Sequence, residues 1–564
     1  MVEATNVMTT RTQGITPRTV NWLVLFLFLY AVGVYAYMTL RFVGNWGEGD
    51  TTVVARGIYT TEEAESIRDA KRPYTNGSGY VALSVFLQDV TGLSLQDMQT
   101  YVLQLLPALG VVVIFVTYRL LIGRPVVALI ATLFVFIQGD FLWVTWRGSH
   151  EKMTWILVCL CFYILARSFT VWKQPTMLLR YILLFYLIAF ALTTSNVFFA
   201  SSFIVALVLS FAGGQVYLAY LTRRNKGQVT EEQLHLRTHI RRLLYVNMAC
   251  LVLLFLFLFY IYPPAFSGIL FLRSLVEQLS VIFLQVELRP TVTSPSAIAS
   301  APVFSVSQPA NYLSISWLSP LVFLVLTLFS WLVLLTSFVT WAAGVLTFVI
   351  RKNVGIQDLP RLLMWLVYPA FALQLVGALF ADRGTVLSGN LQVRLFTPLM
   401  LLAIPLAAIG VSWLLTAIRR PLLGAALRVT IIVAVAWFST ASLLKGTNEP
   451  VLNNKWVFTS SAENAVGDWL VRKVIEADVW TGTDERISSV YNYRYPELLS
   501  AGTNMYFVSN AFTVNTKYVI SSELERLRQG RLQITSFNLT EENSVYDNGD
   551  VQVIYRRPRS PFQR

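Results

Sequence analysis

Apolar residues fill this chain in long runs, and polar residues gather in the gaps between them. A helix needs about 20 predominantly apolar residues to cross the hydrocarbon of a bilayer. Runs of that kind lie at residues 20–40, 101–122, 125–146 and 153–172. The apolar stretch 181–221 is too long for one crossing. It breaks at Thr193-Thr194-Ser195-Asn196, which divides it into a fifth and a sixth span joined by a tight turn. A seventh span, 243–262, stops at Pro263-Pro264, where proline cannot continue a helix. Spans at 317–350, 361–380, 398–418 and 422–444 bring the count to eleven. The expected fold class is a polytopic α-helical membrane protein with about 11 transmembrane helices. Residues 1–445 form the membrane module, and the far more polar residues 446–564 form a soluble C-terminal α/β domain.

The polar gaps have structure of their own. In the long segment 41–100, Thr60 to Ala70 reads as a helix with a capping threonine and acids in its first turn. Tyr80–Leu87 and Leu93–Tyr101 read as helices lying along the membrane interface, separated by Asn76-Gly77-Ser78-Gly79. In the C-terminal domain, apolar pairs at helical spacing predict a helix over Ser461–Ala477. Tyr518–Ile520 and Val551–Tyr555 predict strands, and Asp547-Asn548-Gly549-Asp550 predicts a hairpin turn.

Composition supports the membrane reading: 55% of the 564 residues are hydrophobic and only 13% are charged, where a soluble domain carries about 25%. The net charge of +13 would suggest nucleic acid if its distribution were ignored. The basic residues instead cluster in short gaps: Arg119 and Arg124; Arg167, Lys173 and Arg180; Arg223, Arg224, Lys226, Arg241 and Arg242; Arg351 and Lys352; Arg419, Arg420 and Arg428. Eleven spans with a cytoplasmic N-terminus put every one of these clusters inside, as the positive-inside rule requires. The 41–100 segment, the 147–152 turn, the 265–316 and 381–397 loops and the C-terminal domain then share the outer face. The first run is full length with Arg11 and Arg18 before it, so it reads as a retained anchor. Cys159, Cys161 and Cys250 all lie inside apolar runs and read as small buried hydrophobes.

Four outer stretches carry groups capable of chemistry. Gly44–Thr51, just past span one, holds Glu48 and Asp50, and a carboxylate beside hydrocarbon is costly unless it has a use. A solvated loop is the plain alternative. Arg147-Gly148-Ser149-His150-Glu151-Lys152 packs a histidine, an acid and cations into one turn, which could hold a divalent ion such as Mg or Mn or could be an ordinary hydrophilic hairpin. Asp382-Arg383-Gly384 follows span nine, and Arg394 stands before span ten, where a lipid headgroup would lie. The 265–316 loop, with Arg273, Glu277, Glu287 and Arg289, reads as a solvated face. Asp140 in span three is either functional or a partner for a neighbouring helix. His235 and His239, four apart in a basic gap, read as a solvated face rather than a metal site. Asn76 and Asn538 head glycosylation triplets. Together these groups offer a carboxylate base, cations for a phosphate leaving group and a His/acid turn.

This arrangement resembles the GT-C glycosyltransferases, multi-span enzymes that use polyprenyl-linked sugar donors. The matching stretches are Glu48-Gly49-Asp50 after span one with its long loop, the acidic turn Arg147–Lys152, and Arg394 leading into L-F-T-P-L-M-L-L-A-I-P-L. The resemblance spans the whole architecture, but each motif is short. The W-W-D acceptor signature of oligosaccharyltransferases is absent, which argues against Asn-linked transfer. A glycine separates the two acids that stand adjacent in aminoarabinose- and mannosyl-transferring relatives. By position, the resemblance implies Asp50 as general base with Glu48 in support. It implies Arg394, Arg383 and Arg147 as donor-phosphate ligands, with His150 and Glu151 on substrate or on an optional divalent ion. The implied activity is inverting transfer of a sugar from a polyprenyl-phosphate donor to a glycan, lipid or protein acceptor at the outer face of a prokaryotic plasma membrane. A flippase for lipid-linked glycans and an O-antigen-ligase-like transferase are the alternatives.

Overall fold

In the computed structural model the described residues are 17–41, 49–64, 66–70, 73–136, 138–171, 174–225, 231–268, 318–350, 359–384, 391–418, 421–447, 461–474, 478–480, 504–506, 517–522 and 543–556. Fourteen helices of eight or more residues precede the C-terminal unit among them. They are α1 (Pro17–Arg41), α2 (Gly49–Glu62), α3 (Gly79–Thr91), α4 (Leu105–Ile122), α5 (Pro125–Phe136), α6 (Gly139–Trp146) and α7 (Glu151–Thr170). There follow α8 (Pro175–Ser195), α9 (Val197–Arg224), α10 (Glu231–Leu256), α11 (Leu318–Ile350), α12 (Leu359–Gly384), α13 (Leu391–Ala417) and α14 (Pro421–Thr447).

Ten helices among the described residues are long and apolar enough to cross a membrane. The remaining expected span, 125–146, is split into α5 and α6. Gln138 takes an extended conformation (φ −74°, ψ 115°) ahead of Gly139, and α6 restarts with Leu142 N–H on the Gln138 carbonyl at 2.9 Å. The long run at 317–350 is one uninterrupted helix of 33 residues. The break expected at Thr193–Asn196 is present and needs a single residue. Asn196 is extended, and its side chain accepts from Phe199 N–H at 3.1 Å, capping α9 directly after α8.

The first polar segment departs from its expected form. The helix there begins at Gly49 and ends at Glu62, where Thr60 was expected to begin one. The Thr60 hydroxyl instead donates back to the Arg56 carbonyl at 3.0 Å, so it closes a turn already formed. The basic gap around residue 235 also differs. α10 starts at Glu231, and His239 lies buried within it, its ring 4.9 Å from that of Phe169. It is a packed histidine and not part of a solvated face. The Asp140 side chain lies outside the described residues. All three cysteines are buried and free.

One apolar core joins the bundle, with α4 packed on α1, α5 and α7, α9 on α10 and α12, and α13 on α5, α11 and α12. Small residues permit the close crossings. A Cβ at Gly110 in α4 would lie 2.6 Å from Ile156 Cγ1 in α7. In the C-terminal unit a five-stranded sheet has the order β2-β1-β3-β5-β4. Its strands are β1 (Asp478–Trp480), β2 (Asn504–Tyr506), β3 (Tyr518–Ser522), β4 (Asn543–Asp547) and β5 (Val551–Tyr555). β1 runs parallel to β2 and β3, and β5 runs antiparallel to β3 and β4. The helix α15 (Ser461–Lys473) covers it through Val466 and Leu470, against Val479, Ile520, Val551 and Val553. The expected hairpin turn is there, with Gly549 at φ +92° and Asn548 Oδ1 accepting from Val551 N–H at 3.0 Å.

Candidate active site at the α6–α7 turn

The α6 helix ends at Trp146, and its last carbonyl is strongly satisfied. Gln104 Nε2 donates to Trp146 O at 2.6 Å and the wholly buried Lys152 Nζ at 2.9 Å. Both interactions answer the need of a helix C-terminus for hydrogen-bond donors. The chain then turns through residues 147–150 and starts α7 at Glu151, an acid in a first helical turn. The Glu151 carboxylate receives Arg147 Nη2 at 3.0 Å and the Ser149 hydroxyl.

His150 is held from both sides. Its Nδ1 lies 2.8 Å from Tyr74 Oη, and its Nε2 lies 3.1 Å from Asn76 Nδ2. Asn76 Oδ1 accepts from Phe198 N–H at 3.4 Å, so the amide turns its nitrogen to the ring. An amide nitrogen only donates. Nε2 is therefore the acceptor, and the proton sits on Nδ1 and is donated to Tyr74 Oη. The Asn76 carbonyl accepts from Val197 N–H at 3.0 Å, so this residue caps the start of α9 twice. Gly77 follows at φ +137°, and a Cβ there would overlap the Thr194 carbonyl. Only glycine fits that approach of the first polar segment to the α8–α9 junction.

Two further contacts extend the cluster. Gly148 N–H donates to the buried Thr51 Oγ1 at 3.1 Å, which docks the 147–152 turn on the first turn of α2. Arg394, exposed in the first turn of α13, sets its guanidinium 5.8 Å from the Phe198 ring centroid. The segment carrying Tyr74 is also anchored to the chain just past the end of α10. Tyr262 Oη donates to the Tyr74 carbonyl at 3.1 Å, and Arg68 donates to the carbonyls of Tyr260 and Ile261.

Arg147, His150 and Glu151 thus share one turn, and Arg394 joins them through Phe198 and Asn76. Asp50 is the second residue of α2 and precedes Thr51; its side chain lies outside the described residues, as does Glu48 altogether. Arg383 closes α12 beside Asp382, and neither side chain is among those described. Arg273, Glu277, Glu287, Arg289 and Asn538 lie outside the described residues. Asn76 is a hub of the fold, although its triplet reads as a glycan acceptor. Tyr74, Thr51 and Phe198 have no signal in the sequence, because their roles come from contacts with distant residues.

The His150/Glu151 pair does not fit a divalent ion as arranged. Both ring nitrogens are engaged by Tyr74 and Asn76, and both carboxylate oxygens by Arg147 and Ser149. No three His, Cys, Asp or Glu residues cluster as metal ligands among the described residues.

This bundle, with helices of the first polar segment folded back over the α6–α7 turn, is similar in fold to solved archaeal oligosaccharyltransferase structures. The oligosaccharyltransferase of Archaeoglobus fulgidus in its apo form aligns over 88% of this chain and 69% of its own, with TM-score 0.51 and 10% identity. The archaeal oligosaccharyltransferase AglB from the same organism, in complex with an inhibitory peptide and a dolichol-phosphate, aligns over 89% and 69%, with TM-score 0.51 and 11% identity. ArnT from Cupriavidus metallidurans in the apo state aligns over 95% and 97%, with TM-score 0.40 and 11% identity. No protein-family model and no curated protein sequence matches the chain.

Proposed function

We propose that this chain is a membrane glycosyltransferase that moves a sugar from a polyprenyl-phosphate donor to the hydroxyl of a glycan, lipid or protein acceptor at the outer face. The observation that carries the reading is the docking of the 147–152 turn on α2. The bond from Gly148 N–H to Thr51 Oγ1 joins the residue after Asp50 to the Arg147–Glu151 turn across 97 residues. The fold likeness supports the class, and the dolichol-phosphate bound to the archaeal relative supports a lipid phosphate as the donor's leaving group.

In this reading Asp50 accepts the acceptor's hydroxyl proton as its oxygen bonds to the anomeric carbon. The bond from that carbon to the phosphate oxygen breaks, and polyprenyl phosphate leaves with the electron pair. The configuration at the carbon inverts. Arg394 and Arg383 neutralise the departing phosphate. Arg147 already faces the Glu151 carboxylate at 3.0 Å, so it shapes the turn before it can serve a phosphate. Tyr74, Asn76 and His150 position that turn.

The test is transfer of a radiolabelled sugar from its polyprenyl phosphate by the purified full chain. Asp50→Asn should abolish turnover while the protein stays monodisperse and keeps its melting temperature. Arg394→Ala should raise the KM for donor more than for acceptor. Unchanged turnover in Asp50→Asn would overturn the assignment of the base.

A further inference from the structure

Arg394 is exposed at the start of α13, yet its side chain has a defined neighbour. The guanidinium carbon lies 5.8 Å from the centroid of the Phe198 ring. Among the described residues no carboxylate pairs with it. A ring face attracts a guanidinium through its charge and leaves the N–H donors unspent. A carboxylate in that place would take two of those donors and cancel the charge. An arginine held on a ring therefore keeps both its charge and its planar fork for an anion.

Phe198 is itself fixed. It is the second residue of α9 and is buried. Its N–H donates to Asn76 Oδ1 at 3.4 Å, and its ring meets that of Phe199 edge-on at 5.1 Å. Phe199 in turn meets the buried Trp155 of α7 at 4.6 Å. The ring under Arg394 is thus anchored to α7 and to the first polar segment, while Arg394 belongs to α13.

The outer turn of α13 has use for such a side contact. Pro398 lies inside the helix and has no N–H, so the Arg394 carbonyl loses its helical partner. Pro369 in α12 and Pro405 in α13 free the carbonyls of Trp365 and Leu401 in the same way. Those two are made good from neighbouring helices. Trp341 Nε1 donates to the Trp365 carbonyl at 2.9 Å, and Tyr118 Oη donates to the Leu401 carbonyl at 2.6 Å. Leu391, Leu395 and Phe396 hold the backbone of the outer turn in the core, and Phe198 is the contact that directs its charged side chain.

We propose that Phe198 is a positioning residue whose ring holds the Arg394 guanidinium ready for the donor phosphate, and so sets the affinity for the lipid phosphate. This role rests on Arg394 as a ligand of that phosphate. A freely rotating arginine gives up rotamer freedom when it binds an anion, and one already seated on a ring gives up less.

The test is direct binding of polyprenyl phosphate to the purified full chain, which needs no turnover. Phe198 is replaced in turn by mono-, di- and trifluorinated phenylalanine, which keep the ring and drain its face of negative charge. The dissociation constant should rise stepwise along the series, by about three- to tenfold in all, at an unchanged melting temperature. Phe198→Leu, which removes the ring, should weaken binding at least as much. In sugar transfer the KM for donor should rise in the same order, and more than the KM for acceptor. A flat fluorinated series, or tighter binding as fluorine is added, overturns the role of Phe198 and leaves the donor reading standing. Weakening by Phe198→Leu alone assigns the ring to packing and likewise overturns the role. Failure of the unaltered protein to bind polyprenyl phosphate overturns the donor reading and this role together.

Discussion

The Asn76 amide nitrogen lies 3.1 Å from His150 Nε2, while the same side chain's oxygen receives the Phe198 N–H at 3.4 Å. One residue of the first polar segment thus fixes both the α6–α7 turn and the start of α9. Asn76→Ala removes the bond to His150 and a cap together, and should lower stability by about 1–3 kcal/mol. Thermal unfolding in detergent measures this. In a host that glycosylates the triplet Asn76-Gly77-Ser78, peptide mass spectrometry should find Asn76 unmodified, because its amide nitrogen is engaged within the fold.

Gly77 and Gly92 both have positive φ, but only Gly77 meets neighbouring backbone. Gly92→Ala should cost about 1 kcal/mol. Gly77→Ala should prevent recovery of monodisperse protein, because a methyl group there runs into the Thr194 and Ser195 backbone. Size-exclusion profiles of the two variants side by side decide this, and equal profiles would refute the close approach.

Thr51→Val leaves the buried Gly148 N–H without its hydroxyl acceptor and loosens the turn against α2. Transfer should fall about tenfold or more, since small misplacements of reacting groups are costly. Thr51→Ser keeps the acceptor and should retain activity. Loss in both variants alike would point to the methyl group instead of the bond.

Arg147 and Glu151 form a mostly enclosed pair at 3.0 Å. A double-mutant cycle with Arg147→Met and Glu151→Gln should show coupling of about 1–2 kcal/mol. Each single change removes one charge of the pair, so the double variant should be more stable than the sum of the singles predicts. Additive effects in chemical unfolding would count against the pair.

The spans were legible because each rests on local composition: a run long enough to cross leaves little choice of structure. The one-residue break at Asn196 was legible for the same reason, since a capping residue interrupts an apolar run. The split at Gln138 was less so, because Gln138-Gly139-Asp140 is a short polar interruption and the apolar residues on both sides together have the length of one span. The start of α2 was misplaced because Thr60 suits an N-cap, and whether its hydroxyl caps forward or bonds back to Arg56 depends on where the helix began. His150 and Glu151 stood out as an unusual turn, but their partners Tyr74 and Asn76 lie 76 and 74 residues away from His150. No local pattern encodes that distance. A histidine beside an acid reads as a metal pair until those partners are known.

The capping of α9 by Asn76 sets an order of assembly. Asn76 and Phe198 are 122 residues apart, and a ribosome needs roughly ten seconds to add that many. During that interval the first polar segment lacks the backbone groups that Asn76 caps. It can close only after α8 and α9 have been inserted as a pair, joined at Asn196. A chain halted before residue 197 would thus carry the Arg147–Lys152 turn but lack the α9 start that Asn76 caps.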